Sequence, residues 1–324
     1  MPLHPELQQL LQQIQAMGLP SFSSMTPAEA RQRMGMSAGM FGAARPAGLR
    51  THDEQLAGPG GPITVRVFTP ERLPTQQTDP QTDPGTEAPR PGVVFFHGGG
   101  WVIGSVADYE PDCSRLAART GAIVLSVEYR LAPEHPFPAA VEDAVAATRW
   151  AHANAARLGI DPARLAVAGD SAGGNLAAVV AQELRGRPEA PCLQLLIYPA
   201  TDAHTEIPEK RQPIPGMLQP ADLDWFEDHY LRSEADRRDP RFSPNLTEDL
   251  SGLPPAIVVL AEFDPLHTEG QAYARRLQAA GVPVEVLPFP GLIHGFLAFA
   301  ALLPSCGTAE IELHARLRSA LGGA

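Results

Sequence analysis

LAVAGDSAGGNLAAVV (Leu165–Val180) is an apolar run, a knot of small residues around one serine, and a second apolar run. The pattern predicts a strand, a sharp turn and a helix. Two kinds of site are built on such a turn. One is a glycine-rich cradle for a phosphate at a helix N-terminus; the other is an elbow that holds up a serine as nucleophile. The cradle requires G-x-G-x-x-G, or G-x-x-x-x-G followed by Lys and Ser or Thr. Gly169, Gly173 and Gly174 have neither spacing, and no lysine is near. G-x-S-x-G does match, at Gly169, Ser171 and Gly173. A helix that merely starts at a serine cap would look the same, so the decision rests on partners for the serine.

Working outward, apolar runs recur as VVFF (93–96), AIVLSV (122–127), RLAVAG (164–169), LQLLIYP (193–199), AIVVLAEFD (256–264) and VPVEVLPF (282–289). Most are separated by helical stretches, at 107–120, 137–157, 171–186 and 268–281, and residues 308–321 read as a last helix. Near-continuous apolar strands alternating with helices predict an α/β fold with a mostly parallel sheet covered on both faces. ITVRVF (63–68) alternates like a half-exposed strand, and 70–91, rich in Pro, Thr, Gln and Asp, reads as a long loop. Residues 205–239 break the rhythm and read as an insertion above the sheet. At the N-terminus, Leu3, Leu7, Leu10, Leu11, Ile14 and Met17 share one helical face, and TPAE (26–29) starts a second helix with a capping box. The expected division is therefore cap helices at 1–50, a body at 51–204 and 240–324, and a cap insertion at 205–239.

In such a sheet ligands bind beyond the carboxyl ends of the strands. A nucleophilic serine needs a base, and the base an orienting carboxylate, in the chain order Ser, acid, His. Asp264 follows AIVVLAEF, and His294 lies in the loop PGLIHGF behind VPVEVLPF, both beyond Ser171. His204, His229, His267 and His314 read instead as cap or helix-surface residues. Charge developing on a carbonyl oxygen needs preorganised donors. HGGGW (97–101), directly behind a buried strand, offers unobstructed backbone N–H groups, and the N–H of Ala172 completes the hole.

Composition excludes other classes. With 324 residues, 44% hydrophobic and 19% charged, the chain is of ordinary globular make-up. A net charge of −12 argues against nucleic acid. No stretch suits a membrane span, and the first residues lack the basic start and apolar core of a signal peptide. Cys113, Cys192 and Cys306 have no metal-ligand spacing and read as free thiols, which with the missing signal predicts a cytoplasmic setting. No cofactor or metal is expected.

Together HGGGW (97–101), YRLAPEHPFPAA (129–140), GDSAGGN (169–175), DPL (264–266) and HGF (294–296) resemble the hormone-sensitive-lipase-like branch of the α/β-hydrolases, the bacterial family IV carboxylesterases. The resemblance implies a serine esterase with Ser171 as nucleophile, His294 as base and Asp264 as orienter. It assigns the oxyanion hole to Gly99, Gly100 and Ala172, with Gly98 shaping the turn and His97 positioning the loop. It also implies cis peptides at Ala132–Pro133 and Phe137–Pro138, and allows a homodimer along VPVEVLPF. Thr268 stands where the family has aspartate, and is expected to cap the following helix. For a small-molecule ester, the expected apolar lining is Trp101, Met217, Leu218, Trp225 and Phe226, floored by Phe296 and Leu297. Acyl transfer through the same triad is the alternative reading. A ligand-binding receptor on this fold, such as the plant gibberellin receptors, lacks the triad histidine, which this chain has.

Overall fold

A computed structural model describes residues 2–41, 45–71, 88–211 and 218–322. Its centre is an eight-stranded sheet: β1 (Leu49–Gly58), β2 (Gly61–Pro70), β3 (Arg90–Phe96), β4 (Ile123–Val127), β5 (Ile160–Asp170), β6 (Gln194–Ile197), β7 (Ala256–Phe263) and β8 (Val284–Ile293). The strand order is β1-β2-β4-β3-β5-β6-β7-β8. β1, β2 and β4 pair antiparallel, and all pairs from β4 to β8 are parallel. The parallel strands are apolar on both faces because both faces are covered. Val94, Phe96, Leu125 and Val167 enter one core; Val93, Phe95, Val124 and Ala168 enter the other.

The first core is closed by α4 (Ala139–Ala153), α6 (Ala172–Glu183) and α8 (His267–Ala279), which contribute Ala144, Leu176 and Tyr273. The second is closed by α3 (Glu110–Thr120) and α9 (Pro304–Ala320), through Leu116 and Leu313. A single turn of helix, α5 (Ala155–Leu158), leads into β5.

Two elements depart from the sequence reading. β1 (LRTHDEQLAG) had not been expected; it pairs only with β2, and Leu56 is its only fully buried side chain. The first helix, α1 (Pro5–Ala16), does not cover the site. Its Leu7 is buried in the core with β8 and α9, the His4 N–H donates to Gly291 O (3.1 Å), and Glu6 accepts the Ser305 N–H (2.7 Å). Met17 lies past the helix end and is 66% exposed. Of the two N-terminal α-helices, α2 (Pro27–Phe41) is the one that reaches the mouth of the site. It starts on a reciprocal box: Thr26 N–H donates to Glu29 (2.8 Å) and Glu29 N–H to Thr26 Oγ1 (3.4 Å).

The insertion carries a 3-10 turn (Pro208–Arg211), α7 (Pro220–Tyr230) and a second 3-10 turn (Glu234–Arg238). Two contacts join it to the N-terminal segment. Buried Asp222 accepts the Ser23 N–H (2.9 Å), and the Trp225 indole N–H donates to Met25 O (3.1 Å). Both Ala132–Pro133 and Phe137–Pro138 are cis. Among the described residues no helix is long and apolar enough to cross a membrane. The three cysteines are unpaired, with Cys113 and Cys306 buried. Most of the long loop, residues 72–87, lies outside the described residues.

Candidate active site

β5 ends at Asp170 and α6 begins at Ala172, so Ser171 alone makes the turn, at φ 55° and ψ −117°. The backbone holds that conformation from both sides: Ser171 N–H donates to Ile197 O (2.8 Å), and its carbonyl accepts the Asn175 N–H (3.0 Å). The small residues of the motif permit the crossing. A Cβ on Gly173 would sit 1.9 Å from Phe96 O, so α6 can pass under the end of β3 only with glycine there.

β7 and β8 bring up the partners. His294 follows β8 and its backbone N–H donates to Phe263 O (3.2 Å), which ties the two strand ends together. Its Nε2 lies 2.9 Å from Ser171 Oγ, and its Nδ1 2.8 Å from Asp264 Oδ2. The carboxylate can only accept, so Nδ1 carries the proton and Nε2 faces the hydroxyl as a base. Asp264 is buried, and its second oxygen accepts the Leu266 N–H (2.8 Å). Glu262, the other carboxylate at the end of β7, accepts the Gly291 N–H instead (2.7 Å). Thr268 does not cap α8: the helix starts after Leu266 with no side-chain cap, and Thr268 lies inside its first turn.

The loop behind β3 faces the serine. Gly99 and Gly100 take φ of 112° and 57°, and a Cβ on them would meet Ile103 O at 2.2 Å and Phe226 at 2.3 Å. Their N–H groups are given to no described residue. The Ala172 N–H, at the first position of α6, has no carbonyl one turn before it. His97 is fully buried, and burial pushes it down to about 4, so it is neutral. Its Nδ1–H donates to Gly98 O (2.7 Å), and its ring stacks on Tyr129 at 4.3 Å.

Asp170 was missed by the sequence reading. Its Oδ1 accepts the Gly98 N–H (2.8 Å) and its Oδ2 the Tyr109 hydroxyl (3.1 Å), so the residue before the serine holds the glycine loop. Burial raises its carboxyl to about 6. The signal was an acid inside GDSAGG, directly beside the turn. Asn175, directly after that stretch, donates from Nδ2 to Ala200 O (2.9 Å) and Phe242 O (2.7 Å).

A cavity of about 230 Å³ opens over Ser171 and His294. Of the expected lining, Trp101, Leu218, Phe226 and Leu297 border it, and Met217 lies outside the described residues. Trp101 is only 4% exposed and stacks on Tyr230 at 4.8 Å, so most of its surface joins the glycine loop to the cap. Two expectations are corrected. Successive residues of a helix point about 100° apart, so with Phe226 facing the cavity Trp225 turns toward residues 22–25. The short 3-10 turn at Phe296–Phe299 sends Phe296 into the core against Tyr198 and Phe289, each at 5.5 Å, and leaves Leu297 at the cavity. Missed contributors are Phe22, Met34 and Ala38 from the N-terminal segment and Leu223, one turn before Phe226.

Of the other histidines, His314 is corrected: it is 4% exposed, on the face of α9 that meets α3, rather than on the surface. His229 and His267 each meet a backbone carbonyl of their own segment at 2.7 Å. Among the described residues no three His, Cys, Asp or Glu side chains gather to hold a metal ion.

With this geometry in place, known proteins agree. The family model described as alpha/beta hydrolase fold matches residues 93–298. A carboxylic ester hydrolase, LipN, of Mycobacterium tuberculosis is 44% identical over 278 residues, covering 83% of this chain and 70% of the relative. The ethyl acetate hydrolase of Pseudomonas putida is 42% identical over 247 residues, 75% of this chain and 74% of its own. Among solved structures, a hyperthermophilic esterase from the archaeon Pyrobaculum calidifontis superposes with a TM-score of 0.88 at 39% identity, covering 98% of this chain and 99% of that one. The chain belongs to the α/β hydrolase fold family, in its hormone-sensitive-lipase-like branch of carboxylesterases.

Proposed function

We propose that the chain hydrolyses short- to medium-chain carboxylic esters through an acyl-enzyme on Ser171. The observation that carries the reading is the unbroken line Ser171 Oγ–His294–Asp264, at 2.9 and 2.8 Å, on the floor of the cavity. Oγ bonds the ester carbonyl carbon as its proton passes to His294 Nε2, and Asp264 steadies the imidazolium through Nδ1–H. The N–H groups of Gly99, Gly100 and Ala172 meet the oxygen on which charge develops. Collapse returns the Nε2 proton to the leaving alkoxide. Water then attacks the acyl-enzyme with His294 again as base, releasing the acid and restoring Ser171.

The cap we assign to residues 22–41 and 205–239, which Trp225 and Asp222 tie together. Unpaired cysteines fit a reducing, cytoplasmic setting. The outer side of β8, unpaired in the sheet, fits a homodimer.

Substrate length follows from the cavity, which at about 230 Å³ falls below the common range for ligand pockets. Each buried CH₂ adds about 0.8 kcal/mol, so kcat/KM should climb with acyl length. It should drop once overpacking of about 1–3 kcal/mol sets in; the optimum we propose, on the order of four to eight carbons, is the range the family resemblance suggests. p-Nitrophenyl esters graded in acyl length test this, with Ser171→Ala as control, losing about 10⁵–10⁶ in kcat. A maximum on long-chain triglycerides, or a Ser171→Ala variant of near-normal rate, would contradict the reading.

A further inference from the structure

β6 ends at Ile197, and the chain bends at Tyr198, whose φ of 35° lies in the left-handed region. Glycine adopts such a φ freely, whereas a bulky side chain there is strained. A bend that had only to end the strand would be served better by glycine. Strain that the surrounding structure maintains points to a use for the side chain.

The bend bears first on the nucleophile. Ile197, one residue before Tyr198, accepts the Ser171 N–H (2.8 Å), and Ala200, two residues after it, donates its N–H to Ser171 O (3.3 Å). The Tyr198 N–H itself donates to Val259 O (2.8 Å), which pins the bend to β7. One short segment with Tyr198 inside it thus holds the peptide groups on both sides of Ser171.

The side chain bears on the base. Tyr198 is 2% exposed, borders the cavity, and packs its ring against the His294 imidazole, with centroids 4.7 Å apart and planes tilted by 57°. Phe296 meets the same tyrosine ring edge-on at 5.5 Å, and the Leu297 backbone N–H faces its hydroxyl, so the ring is itself fixed. Burial holds the phenol well above its ordinary range, and it stays neutral beside the imidazole. The imidazole needs such a wall. Asp264 holds it at Nδ1, but Nε2 loses its partner once Oγ has bonded the carbonyl carbon. From then until the alcohol leaves, packing must keep Nε2 in line with the leaving oxygen.

We propose that Tyr198 is a positioning residue whose ring holds the His294 imidazole in place while Nε2 passes its proton from Ser171 Oγ to the leaving oxygen. The proposal rests on the esterase reading above.

The test uses two butyrates that share an acyl chain and differ in leaving group. p-Nitrophenolate departs with its charge delocalised and needs no proton, whereas ethoxide must take one from Nε2. Tyr198→Leu keeps an apolar side chain without a ring. It should lower kcat/KM on ethyl butyrate about 10²-fold, the effect of about an ångström of misplacement. On p-nitrophenyl butyrate the loss should be about tenfold smaller. Tyr198→Phe keeps the ring and should hold the wild-type ratio between the two esters. The ratio is internal to each preparation, so a loss of folded protein does not move it. A folded Tyr198→Leu variant with the wild-type ratio would overturn the proposal, as would a Tyr198→Phe variant that falls as far as Tyr198→Leu. A second measurement needs no variant: the crystal structure of the wild type with Ser171 Oγ bonded to an organophosphonate. The imidazole should still lie against Tyr198 with its Asp264 bond intact, and an imidazole turned away from that ring would overturn the proposal. Failure of the wild type on both esters would overturn the esterase reading itself.

Discussion

Ser171 is held at φ 55°, where a residue with a side chain rarely rests. The fold around it supplies the constraint: β5 stops one residue earlier, α6 starts one residue later, and Gly173 lets the helix pass beneath β3. The same economy governs its partners. Asp264 fixes the tautomer of His294, so Asp264→Asn should lower kcat by about 10⁴ while KM changes little. Steady-state kinetics on a p-nitrophenyl ester checks this. Retention of most activity would hand the orienting role to another carboxylate, for which Glu262 is poorly placed, being engaged with Gly291. Asp170 acts through the glycine loop rather than on the substrate. Asp170→Ala frees the Gly98 N–H, and misplacing the oxyanion donors by about an ångström should cost about 10²-fold in kcat. Asp170→Asn keeps an acceptor for Gly98 and should recover most of that loss. Equal activity in the Ala and Asn variants would show that the carboxylate does not position the loop.

Among the elements, those buried on both faces were legible in the sequence and those with a wet face were not. VVFF, AIVLSV and AIVVLAEF carry apolar residues at nearly every position because helices lie on both sides of the sheet. β1 has one partner and mostly polar side chains, so nothing in LRTHDEQLAG announced a strand. The stripe on α1 showed that one face must be buried, but an amphipathic pattern does not say against what. α9 likewise read as a helix, while the depth of His314 depended on its packing against α3. Desolvation, with Arg119 beside it, pushes His314 down to about 3. In the unfolded chain its ordinary value is about 6.5. Between those values the unfolded state binds the extra proton, so stability is full above pH about 6.5 and is lost as pH falls. Relative to His314→Gln, the wild type should therefore lose about 2 kcal/mol on going from pH 7 to 5. Urea unfolding at the two pH values measures it, and an unchanged difference would show that the imidazole does titrate in the folded state.

At the scale of the whole molecule, the sheet delivers three strand ends, β5, β7 and β8, to one edge of the same cavity, and the triad follows from their order. That much could be read from the linear sequence, because each residue of the proposed triad closely follows an apolar run. What could not be read is how the cap meets the body. Trp101, Tyr230 and Phe242 come from three separate segments and pack into one cluster, Trp101 stacked on Tyr230 at 4.8 Å and tilted against Phe242 at 5.0 Å. Lys210, the only lysine, crosses from the insertion to pair with Glu269 of α8 at 2.7 Å. Contacts of that kind depend on packing between distant segments, for which no local pattern exists. The proposed chemistry depends on Ser171 being the one nucleophile. Its most direct measurement is the mass of the intact protein and of its peptides after reaction with a p-nitrophenyl organophosphate. The predicted result is one phosphoryl adduct per chain, on Ser171 alone, formed in step with the release of p-nitrophenol and the loss of esterase activity. An adduct on any other residue, or esterase activity that survives full modification of Ser171, would contradict it.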